Sequence, residues 1–358
     1  MKVLHIISSP AAGGAETYVR DISLGMAAEG HAVHVLFLQS AGDSGRDAGF
    51  ETAFLAELTA AGIGHSFIGV QARLAPWRGV AAVRRAVAAF QPDVLHCHLY
   101  YALVFSLFVS GVSVVYTHHS FRLKVPRWLY RLFELRVSAY VGICHAVAGM
   151  LEATVSKPVF RIDNGVSSHR LMPRLNRDCS GQPVRLAFVG RLCDAKNIDL
   201  VLEACEVLRA SHFELRIAGE GPERQRLQQK VVDLDLAGKV HFLGNISTVA
   251  QFLHDADAFV MCSAWEGLPI ALIEATMTGL PVLVTNVGGC AEPVHACGNG
   301  LVVDGLAVSD YAAALAQIID DEDMRKGFSR NALRYGVRYR IERSVLKHLD
   351  LYQHISAG

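Results

Sequence analysis

Residues 184–218 read VRLAFVGRLCDAKNIDLVLEACEVLRASHFELRIA, and this stretch contains the pattern that decides the fold. The apolar run Val184–Val189 is typical of a buried strand, and Glu214–Ala218 predicts a second one. Between the two runs, apolar residues recur with the spacing of a helix: Ile198, Val201, Leu202, Cys205 and Leu208. A strand–helix–strand unit of this length predicts two parallel strands joined by a crossover helix.

The same alternation continues on both sides of this stretch. Towards the C-terminus we predict strands at Val240–Leu243, Ala258–Cys262 and Pro281–Thr285, and a mostly helical part from Ser309 to about Ile355. Towards the N-terminus the predicted strands are Val3–Ile7, Val33–Leu38, Val94–His96, Val112–Thr117 and Tyr140–Ile143. Helices are predicted from about Ala15 to Glu29 and over Val80–Phe90. Such alternation predicts an α/β protein whose parallel sheets are covered by helices on both faces.

The length of the chain favours two domains. Its 358 residues are many for one hydrophobic core, and polar, proline-containing sequence interrupts the alternation over Ser167–Pro183. We predict a Rossmann-like domain over residues 1–168, a linker over 169–183 and a second Rossmann-like domain over 184–339. The C-terminal helix, about 340–358, is expected to pack back on the first domain. Because such sheets bind ligands at the carboxyl ends of their strands, we expect the site in the cleft between the domains.

Composition excludes some classes of function. Lys+Arg and Asp+Glu both total 34, so the chain lacks the basic excess typical of nucleic-acid binding. The eight cysteines form no C-x-x-C pair and several lie in apolar stretches, which predicts reduced, mostly buried thiols in a cytoplasmic protein. Met1–Pro10 lacks the cleavage pattern of a secretory signal. Leu99–Thr117 is uncharged, but Gly111 divides it, so we expect a buried helix followed by a central strand instead of a membrane span.

Two groups of residues in the second half suit a nucleotide diphosphate. Gly190 and Arg191 follow a strand, and Lys196 precedes a helix, which is where a diphosphate finds cations and backbone N–H donors. Glu266 follows another strand, and Glu274 lies in an apolar helix, where a carboxylate is costly unless it is paired or bound. Such a carboxylate suits the two hydroxyls of a ribose. The alternative for each group is an ordinary solvated surface.

The order of several short motifs makes a family resemblance specific. They are Gly13–Gly14–Ala15–Glu16, Asn164–Gly165–Val166, Gly190–Arg191–Leu192 with Lys196, Gly219–Glu220–Gly221–Pro222, Glu266–Gly267–Leu268–Pro269 through Glu274, and Gly288–Gly289. With these motifs the chain resembles a retaining glycosyltransferase of family 4 with the GT-B fold, which consists of two Rossmann-like domains whose parallel sheets face an interdomain cleft. The matching stretches span nearly the whole chain in the family's order.

The resemblance implies a set of donor-site residues. Arg191 and Lys196 would hold the diphosphate and stabilise its charge as it leaves, and Glu266 would bind a hydroxyl of the transferred sugar. Glu274 would bind the ribose. The other donor-binding positions would be Gly13, Gly14, Gly190, Gly219, Gly267, Leu268 and Pro269.

Histidines are the main candidates in the first domain. The family has a functional histidine in a Thr-x-His pattern after a central strand, which matches His119 and would face the transferred sugar, with His118 as the adjacent competitor. Residues 96–98 (His-Cys-His) end another strand. His98 is assigned to the acceptor side of the cleft, together with His118 and Glu16. The alternatives for such histidines are structural hydrogen bonding and, less favoured, metal ligation.

The implied activity is the transfer of a hexose from a nucleotide diphosphate, with UDP favoured, to a hydroxyl of a lipid-linked or surface-polysaccharide acceptor. No metal or other cofactor is expected, because no Asp-x-Asp stands at a strand end. The alternatives are a GT-B sugar-nucleotide epimerase, a catalytically silent nucleotide-binding partner and an NAD-dependent oxidoreductase. The last is disfavoured because no G-x-G-x-x-G follows the first strand and the second strand ends in Gln39. Cys144 departs from the family, which usually has a small hydroxyl residue there.

One segment suggests a membrane surface as a partner. Arg122–Arg136 interleaves five basic residues with aromatic and aliphatic ones, among them Trp128, Tyr130 and Phe133. A helix of this kind suits peripheral contact with an anionic membrane at its cytoplasmic face. The alternative is an amphipathic helix that packs on its own domain with its charges solvated.

Overall fold

A computed structural model describes residues 1–45, 48–173, 182–246 and 248–356. The protein divides into two units: the first comprises Met1–Gly165 and the C-terminal segment that begins at Ile341, and the second comprises Val166–Arg340. Ser168–Arg170, at the start of the predicted linker, form a 3-10 turn in the second unit. Residues 174–181 of that linker, with Cys179, lie outside the described residues.

Within the described part of the first unit, seven parallel strands form one sheet in the order β3-β2-β1-β4-β5-β6-β7. They are β1 (Lys2–Ile7), β2 (Ala32–Phe37), β3 (Gly64–Phe67), β4 (Val94–Cys97), β5 (Ser113–His118), β6 (Val137–Gly142) and β7 (Val159–Arg161). The helices of this unit are α1 (Gly14–Ala28), α2 (Ala48–Ala60), α3 (Pro76–Phe90), α4 (Tyr100–Ser106), α5 (Arg127–Phe133), α6 (His145–Glu152) and the C-terminal helix α14 (Ile341–Ser356).

In the described part of the second unit, six parallel strands form a sheet in the order β10-β9-β8-β11-β12-β13. They are β8 (Val184–Val189), β9 (Phe213–Ala218), β10 (Val240–Gly244), β11 (Ala258–Met261), β12 (Val282–Thr285) and β13 (Gly300–Val303). Its helices are α7 (Ile198–Val207), α8 (Arg224–Asp233), α9 (Val249–His254), α10 (Ile270–Thr278), α11 (Ala291–Cys297), α12 (Val308–Asp320) and α13 (Glu322–Tyr335).

Alternate residues of the central strands enter two separate apolar cores. In β8, Leu186 and Phe188 belong to one core and Ala187 to the other. In β11, Val260 joins the first core, whereas Phe259 and Met261 join the second. Because the side chains of a strand point alternately to opposite faces, this sheet is covered on both faces, as the apolar runs predict.

The uncharged segment at residues 99–117 forms the short helix α4 and the central strand β5, so the prediction of a buried helix followed by a strand is confirmed. Among the described helices, none combines the length and the apolar composition needed to span a bilayer. Of the cysteines that the structure describes, all seven are free thiols and all but Cys193 are buried.

The central strands lie where the sequence predicts them, within a few residues at each end. The sequence prediction missed the strands β3, β7 and β13, and it named no helix at α2, α6, α8, α9 or α11. Each missed strand lies at an edge of its sheet. The order of the strands reverses between β1 and β4 in the first sheet and between β8 and β11 in the second. These switch points are where doubly wound sheets bind ligands.

Candidate active site

The predicted donor residues of the second unit collect at the carboxyl edge of its sheet. Strand β8 ends at Val189 and leads into Gly190 and Arg191, and β11 ends at Met261 and leads into Glu266. Strands β8 and β11 are neighbours in the sheet and flank its switch point. Arg191 is exposed, so its guanidinium is accessible to an anion at this edge.

Lys196 and Glu266 form an ion pair at this switch point. Lys196 Nζ lies 2.5 Å from Glu266 Oε1, and Ser263 donates its hydroxyl to the same oxygen at 2.9 Å. Both charged side chains are less than a fifth exposed. Burial alone would lower the pKa of the Lys196 ammonium, but the adjacent Glu266 carboxylate outweighs this effect, so the pKa lies above its ordinary value. Lys196 is therefore a fixed cation at neutral pH.

Glu274 lies in α10, among apolar neighbours, and is only 5% exposed. Its carboxylate accepts a hydrogen bond from Arg170 Nη2, in the segment that follows the first unit. This pairing explains how a carboxylate is accommodated inside an apolar helix, because a cation compensates the lost hydration. The Arg170 partner has no signature in the sequence, since it is 104 positions away along the chain.

Two glycines at this edge are required by the packing of backbone against backbone. Gly219 has φ of +142°, and a Cβ there would lie 1.9 Å from the carbonyl oxygen of Gly190. Gly288 has φ of +55°, and its Cβ would lie 1.9 Å from the carbonyl oxygen of Glu266. Any larger residue would push apart the loops that carry Arg191 and Glu266. Gly219 was predicted from the family resemblance as a donor-binding position, and its packing is sufficient reason for a glycine there.

Gly267, Leu268 and Pro269 connect Glu266 to α10 and are buried. Gly289 N–H donates to Gly267 O at 2.7 Å, which ties this connection to the loop after β12. Pro269 precedes the first residue of α10, so the first N–H groups of that helix point back towards the same edge of the sheet. Arg191, Lys196, Glu266 and the start of α10 thus belong to one edge of the sheet.

In the first unit, Gly13 and Gly14 begin helix α1 after β1. Gly13 has φ of −169°, an extended conformation that any residue adopts. Glu16, in the first turn, is buried and accepts a hydrogen bond from Ser8 Oγ at 2.5 Å. These residues therefore lie at the carboxyl end of β1, next to the switch point of the first sheet.

Three histidines of this unit form a hydrogen-bonded chain, which we call the imidazole chain. His119 Nε2 lies 3.0 Å from His98 Nδ1, and His98 Nε2 lies 3.1 Å from His5 Nδ1. His98 and His119 follow the neighbouring strands β4 and β5, and His5 lies within β1. His119 is partly exposed, whereas His5 and His98 are buried.

Two further groups from α14 complete this cluster. Tyr352 Oη lies 2.5 Å from Nδ1 of His96, and the Nε2 of that histidine lies 2.7 Å from Thr117 Oγ1. His348 donates from Nδ1 to the carbonyl oxygen of Ser344 at 2.8 Å. Burial lowers the pKa of His5 and His119 to about 3 and that of His348 to about 4, and it holds the pKa of His96 and His98 well below the ordinary value. All five imidazoles are therefore neutral at neutral pH.

His118 is engaged on both sides of its ring. Its Nε2–H donates to the carbonyl oxygen of Arg122 at 3.1 Å, and its Nδ1 lies 3.0 Å from Tyr116 Oη. The side chain is only 1% exposed, and burial lowers its pKa to about 4. Of the two adjacent histidines, His119 is therefore the one accessible from the carboxyl edge of the sheet.

Within the described residues, His5, His96 and His98 each place one ring nitrogen within 4.8 Å of the others, a spacing that also suits a metal ion. Both nitrogens of His96 and of His98 already have hydrogen-bond partners, so a metal would have to displace these bonds. The hydrogen bond between His5 and His98, and the pairing of His5 with His96 in neighbouring strands, account for the proximity. Sequence analysis missed His5, His348 and Tyr352; the signal for His5 was a polar residue inside the apolar run of β1.

Comparison with known proteins agrees with this division of residues. The family described as Glycosyltransferase Family 4 matches residues 12–170, and the family described as Glycosyl transferases group 1 matches residues 179–335. The D-inositol 3-phosphate glycosyltransferase of Corynebacterium urealyticum is 30% identical over 179 residues, which cover 47% of this chain and 42% of that protein. The O-antigen biosynthesis glycosyltransferase WbnH of Escherichia coli is 30% identical over 171 residues, 48% of this chain and 46% of the relative. The matched stretch is thus about half the length of these relatives.

Solved structures match over the whole chain. Anabaena Alr3699/HepE in complex with UDP and glucose superposes with a TM-score of 0.81 at 19% identity, covering 98% of this chain and 99% of that one. WaaG, a glycosyltransferase involved in lipopolysaccharide biosynthesis, gives a TM-score of 0.73 at 18% identity, with coverage of 98% and 99%. These neighbours and the two parallel-sheet units confirm the GT-B fold. The two family matches together take in most of the sequence: residues 12–170 are similar to glycosyltransferase family 4, and residues 179–335 are similar to the group 1 glycosyl transferases.

Proposed function

We propose that this chain is a retaining, metal-independent hexosyltransferase. It would transfer a hexose from a UDP-sugar to a hydroxyl of a glycan or lipid-linked acceptor. The observation that carries the proposal is the Lys196–Glu266 pair at the switch point of the second sheet. A nucleotide diphosphate sugar needs a cation for its phosphates and an acceptor for a sugar hydroxyl, and this pair supplies both within one hydrogen bond's length.

Departure of the diphosphate is the step that the second unit would assist. As the bond to the sugar breaks, negative charge grows on the phosphate oxygens and positive charge on the sugar ring. Lys196, held cationic, and the exposed Arg191 would stabilise the leaving group, with the N–H groups at the start of α10 as further donors. Glu266 would exchange its bond to Lys196 for one to a sugar hydroxyl. The Gly190, Gly219 and Gly267 backbones keep these loops close together.

The nucleoside would be recognised through Glu274. A carboxylate accepts two hydrogen bonds from the vicinal hydroxyls of a ribose, and this one is held in place by Arg170. The UDP preference is supported by the structural neighbour solved with UDP and glucose, since that protein has the same fold. The polysaccharide acceptor is supported by the name of the O-antigen relative.

On the acceptor side, the proposal assigns His119 to contact with the transferred sugar. Glu16, His98 and the loop Gly13–Gly14 would lie behind or beside it at the carboxyl edge of the first sheet. His118 would have a structural role, because both of its ring nitrogens are already hydrogen-bonded. In a retaining reaction the acceptor hydroxyl approaches on the side from which the diphosphate leaves.

The test measures donor cleavage in the absence of an acceptor. Purified protein is incubated with UDP-glucose, GDP-mannose or ADP-glucose, with and without EDTA, and proton NMR follows the free hexose and its anomeric form as it appears. The proposal expects release of α-hexose from the α-linked UDP donor, unchanged by EDTA. Initial release of the β-anomer would rule out retention, and loss of activity in EDTA would rule out metal independence.

The same assay separates the alternatives. A sugar-nucleotide epimerase would return an epimeric UDP-sugar and release no diphosphate. A catalytically silent partner would bind UDP, as measured by calorimetry, and cleave none of the donors. Either result would contradict the proposed transferase. A dehydrogenase would instead reduce NAD on addition of an alcohol substrate, which the proposal does not expect.

We also place the enzyme at the cytoplasmic face of a membrane. Trp128, Leu132 and Leu135 of the α5 region are 66%, 40% and 73% exposed, beside the exposed cations Lys124 and Arg131. Tyr130 and Phe133 of the same helix are buried, so α5 packs on its domain and still presents an apolar face with basic neighbours to the outside. A lipid-linked acceptor would be met at such a surface.

A further inference from the structure

The two hydrogen bonds of the imidazole chain restrict where its protons can lie. Each neutral imidazole has one N–H donor and one bare nitrogen acceptor. The bond between His98 Nδ1 and His119 Nε2 needs one proton, and so does the bond between His98 Nε2 and His5 Nδ1. Since the low pKa values keep all three rings neutral, His98 can donate in only one of these bonds and must accept in the other.

Only two arrangements of protons satisfy both bonds. In the first, His5 donates to His98 and His98 donates to His119, so each ring is protonated on Nδ1. In the second, His119 donates to His98 and His98 donates to His5, so each ring is protonated on Nε2. Any mixture of tautomers would place two protons or none in one of the two bonds.

We infer that His98 is a positioning residue that joins His5 and His119 into one tautomeric unit. His119 then cannot change tautomer alone. The Nδ1 of His119, on the side of the ring away from His98, is a hydrogen-bond donor in the first arrangement and an acceptor in the second. The link through His98 therefore decides whether this nitrogen donates or accepts a hydrogen bond. That His119 uses this nitrogen to contact the transferred sugar rests on the proposed function. That the three rings share one tautomer does not rest on it.

The two terminal rings of the imidazole chain, His5 and His119, explain why the shared tautomer does not change easily. His5 Nε2 is buried and has no hydrogen-bond partner among the residues that the structure describes. Reversal of the chain would move a proton onto or off this enclosed nitrogen as well as at His119. A change at the partly exposed end is therefore coupled to a buried atom two rings away, which resists independent fluctuation of His119.

Nitrogen-15 NMR on the full-length protein labelled in its histidines reads the tautomers directly. The chain supplies its own references. His348 donates from Nδ1 to the carbonyl oxygen of Ser344, and His118 donates from Nε2 to that of Arg122; a carbonyl only accepts, so these two rings represent the two tautomers. The inference expects His5, His98 and His119 all to match the same reference. If one of the three matches the opposite reference, the inference is overturned.

Substitution of His98 tests the link. His98→Leu removes both hydrogen bonds, whereas His98→Asn, a smaller residue, retains an amide at the position of Nδ1. In His98→Leu we expect the nitrogen shifts of His119 to be an average over both tautomers. In the wild-type protein we expect the shifts of a single tautomer. Unaveraged, unchanged His119 shifts in His98→Leu would overturn the inference, whatever the activity of the variant. His348→Phe, which removes an equally buried ring outside the imidazole chain, should leave the His119 shifts unchanged.

Kinetics then separate positioning from packing. We expect His98→Leu to lower kcat for donor cleavage about tenfold, with the KM for the donor nearly unchanged, because the donor is held by the second unit. His98→Asn should recover part of this loss. A purely space-filling residue would show no advantage of Asn over Leu. If no donor is cleaved by the wild-type protein, the proposed function fails, but the NMR result still decides the tautomeric unit.

Discussion

The exposed Arg191 allows the proposed chemistry to be tested with little risk to the fold. We expect Arg191→Ala to lower kcat for donor cleavage by about 100- to 1,000-fold, because it removes a preorganised cation from the leaving group. The thermal midpoint should change little, since the side chain is on the surface. Arg209→Ala is the matched control: it removes another exposed arginine of the same unit, beyond the end of α7 and before β9. Near-normal turnover of Arg191→Ala would contradict its assignment.

The pair of Arg170 and Glu274 is a second test at the scale of residues. Arg170→Met leaves a buried carboxylate without this cation, so we expect the free energy of unfolding, measured in urea, to fall by about 2 to 3 kcal/mol. In a Glu274→Gln background the same change should cost much less, because a neutral amide needs no cation. Equal costs in the two backgrounds would show that the pair contributes no coupling energy.

Individual residues also show how far a sequence can predict a site. The family resemblance implied that Lys196 and Glu266 belong to one donor site, at the carboxyl ends of strands where such sheets bind ligands. It did not predict that these side chains pair with each other, nor that Arg170 pairs with Glu274. Such pairs depend on the rotamers and loop paths that bring distant positions together, and a single sequence contains no record of them.

At the scale of elements, two of the three strands that the sequence missed have a physical reason in common. All residues of β11 and β12 are buried, so these strands appear in the sequence as almost continuous apolar runs. β3 has the sequence GHSF and β7 has VFR; both lie at a sheet edge and no residue of either is fully buried. An edge strand needs less apolar surface, and its pattern then resembles that of a loop.

Helix α5 provides a prediction for a whole element. We expect the double variant Trp128→Ser with Leu132→Ser to lose binding to phosphatidylcholine vesicles that contain phosphatidylglycerol, because it removes exposed apolar area beside basic residues. Co-sedimentation at low and high salt measures the binding. The control is Val207→Ser with Val232→Ser, which alters two residues of the second unit that are both 61% exposed. Equal loss in the control, or no binding by wild type, would remove α5 as a membrane contact.

At the scale of the whole molecule, buried histidines distinguish the two units. His5, His96, His98, His118 and His348 are buried, and all belong to the first unit. Among the described residues of the second unit, no histidine is buried. Folded His5 has a pKa of about 3 and folded His348 of about 4, whereas the unfolded chain takes up protons below about 6.5. Acid should therefore destabilise the first unit through its buried histidines, and the described part of the second unit has no such histidine.

The sign of the effect follows from these pKa values. A lowered folded pKa contributes stability that is complete above pH 6.5 and decreases as the pH falls, because the unfolded state binds more protons. At pH 5.5 each such histidine should cost about 1.4 kcal/mol relative to pH 7.5, so the first unit should lose several kcal/mol and open before the second. Hydrogen exchange with mass spectrometry at the two pH values resolves the peptides of each unit. His348→Phe should lower the number of protons that the first unit takes up on unfolding by about one. His241→Phe, at an exposed position of β10, should not change this number. Simultaneous opening of both units, with the same pH dependence in His348→Phe, would mean that these histidines do not set the acid stability of the fold.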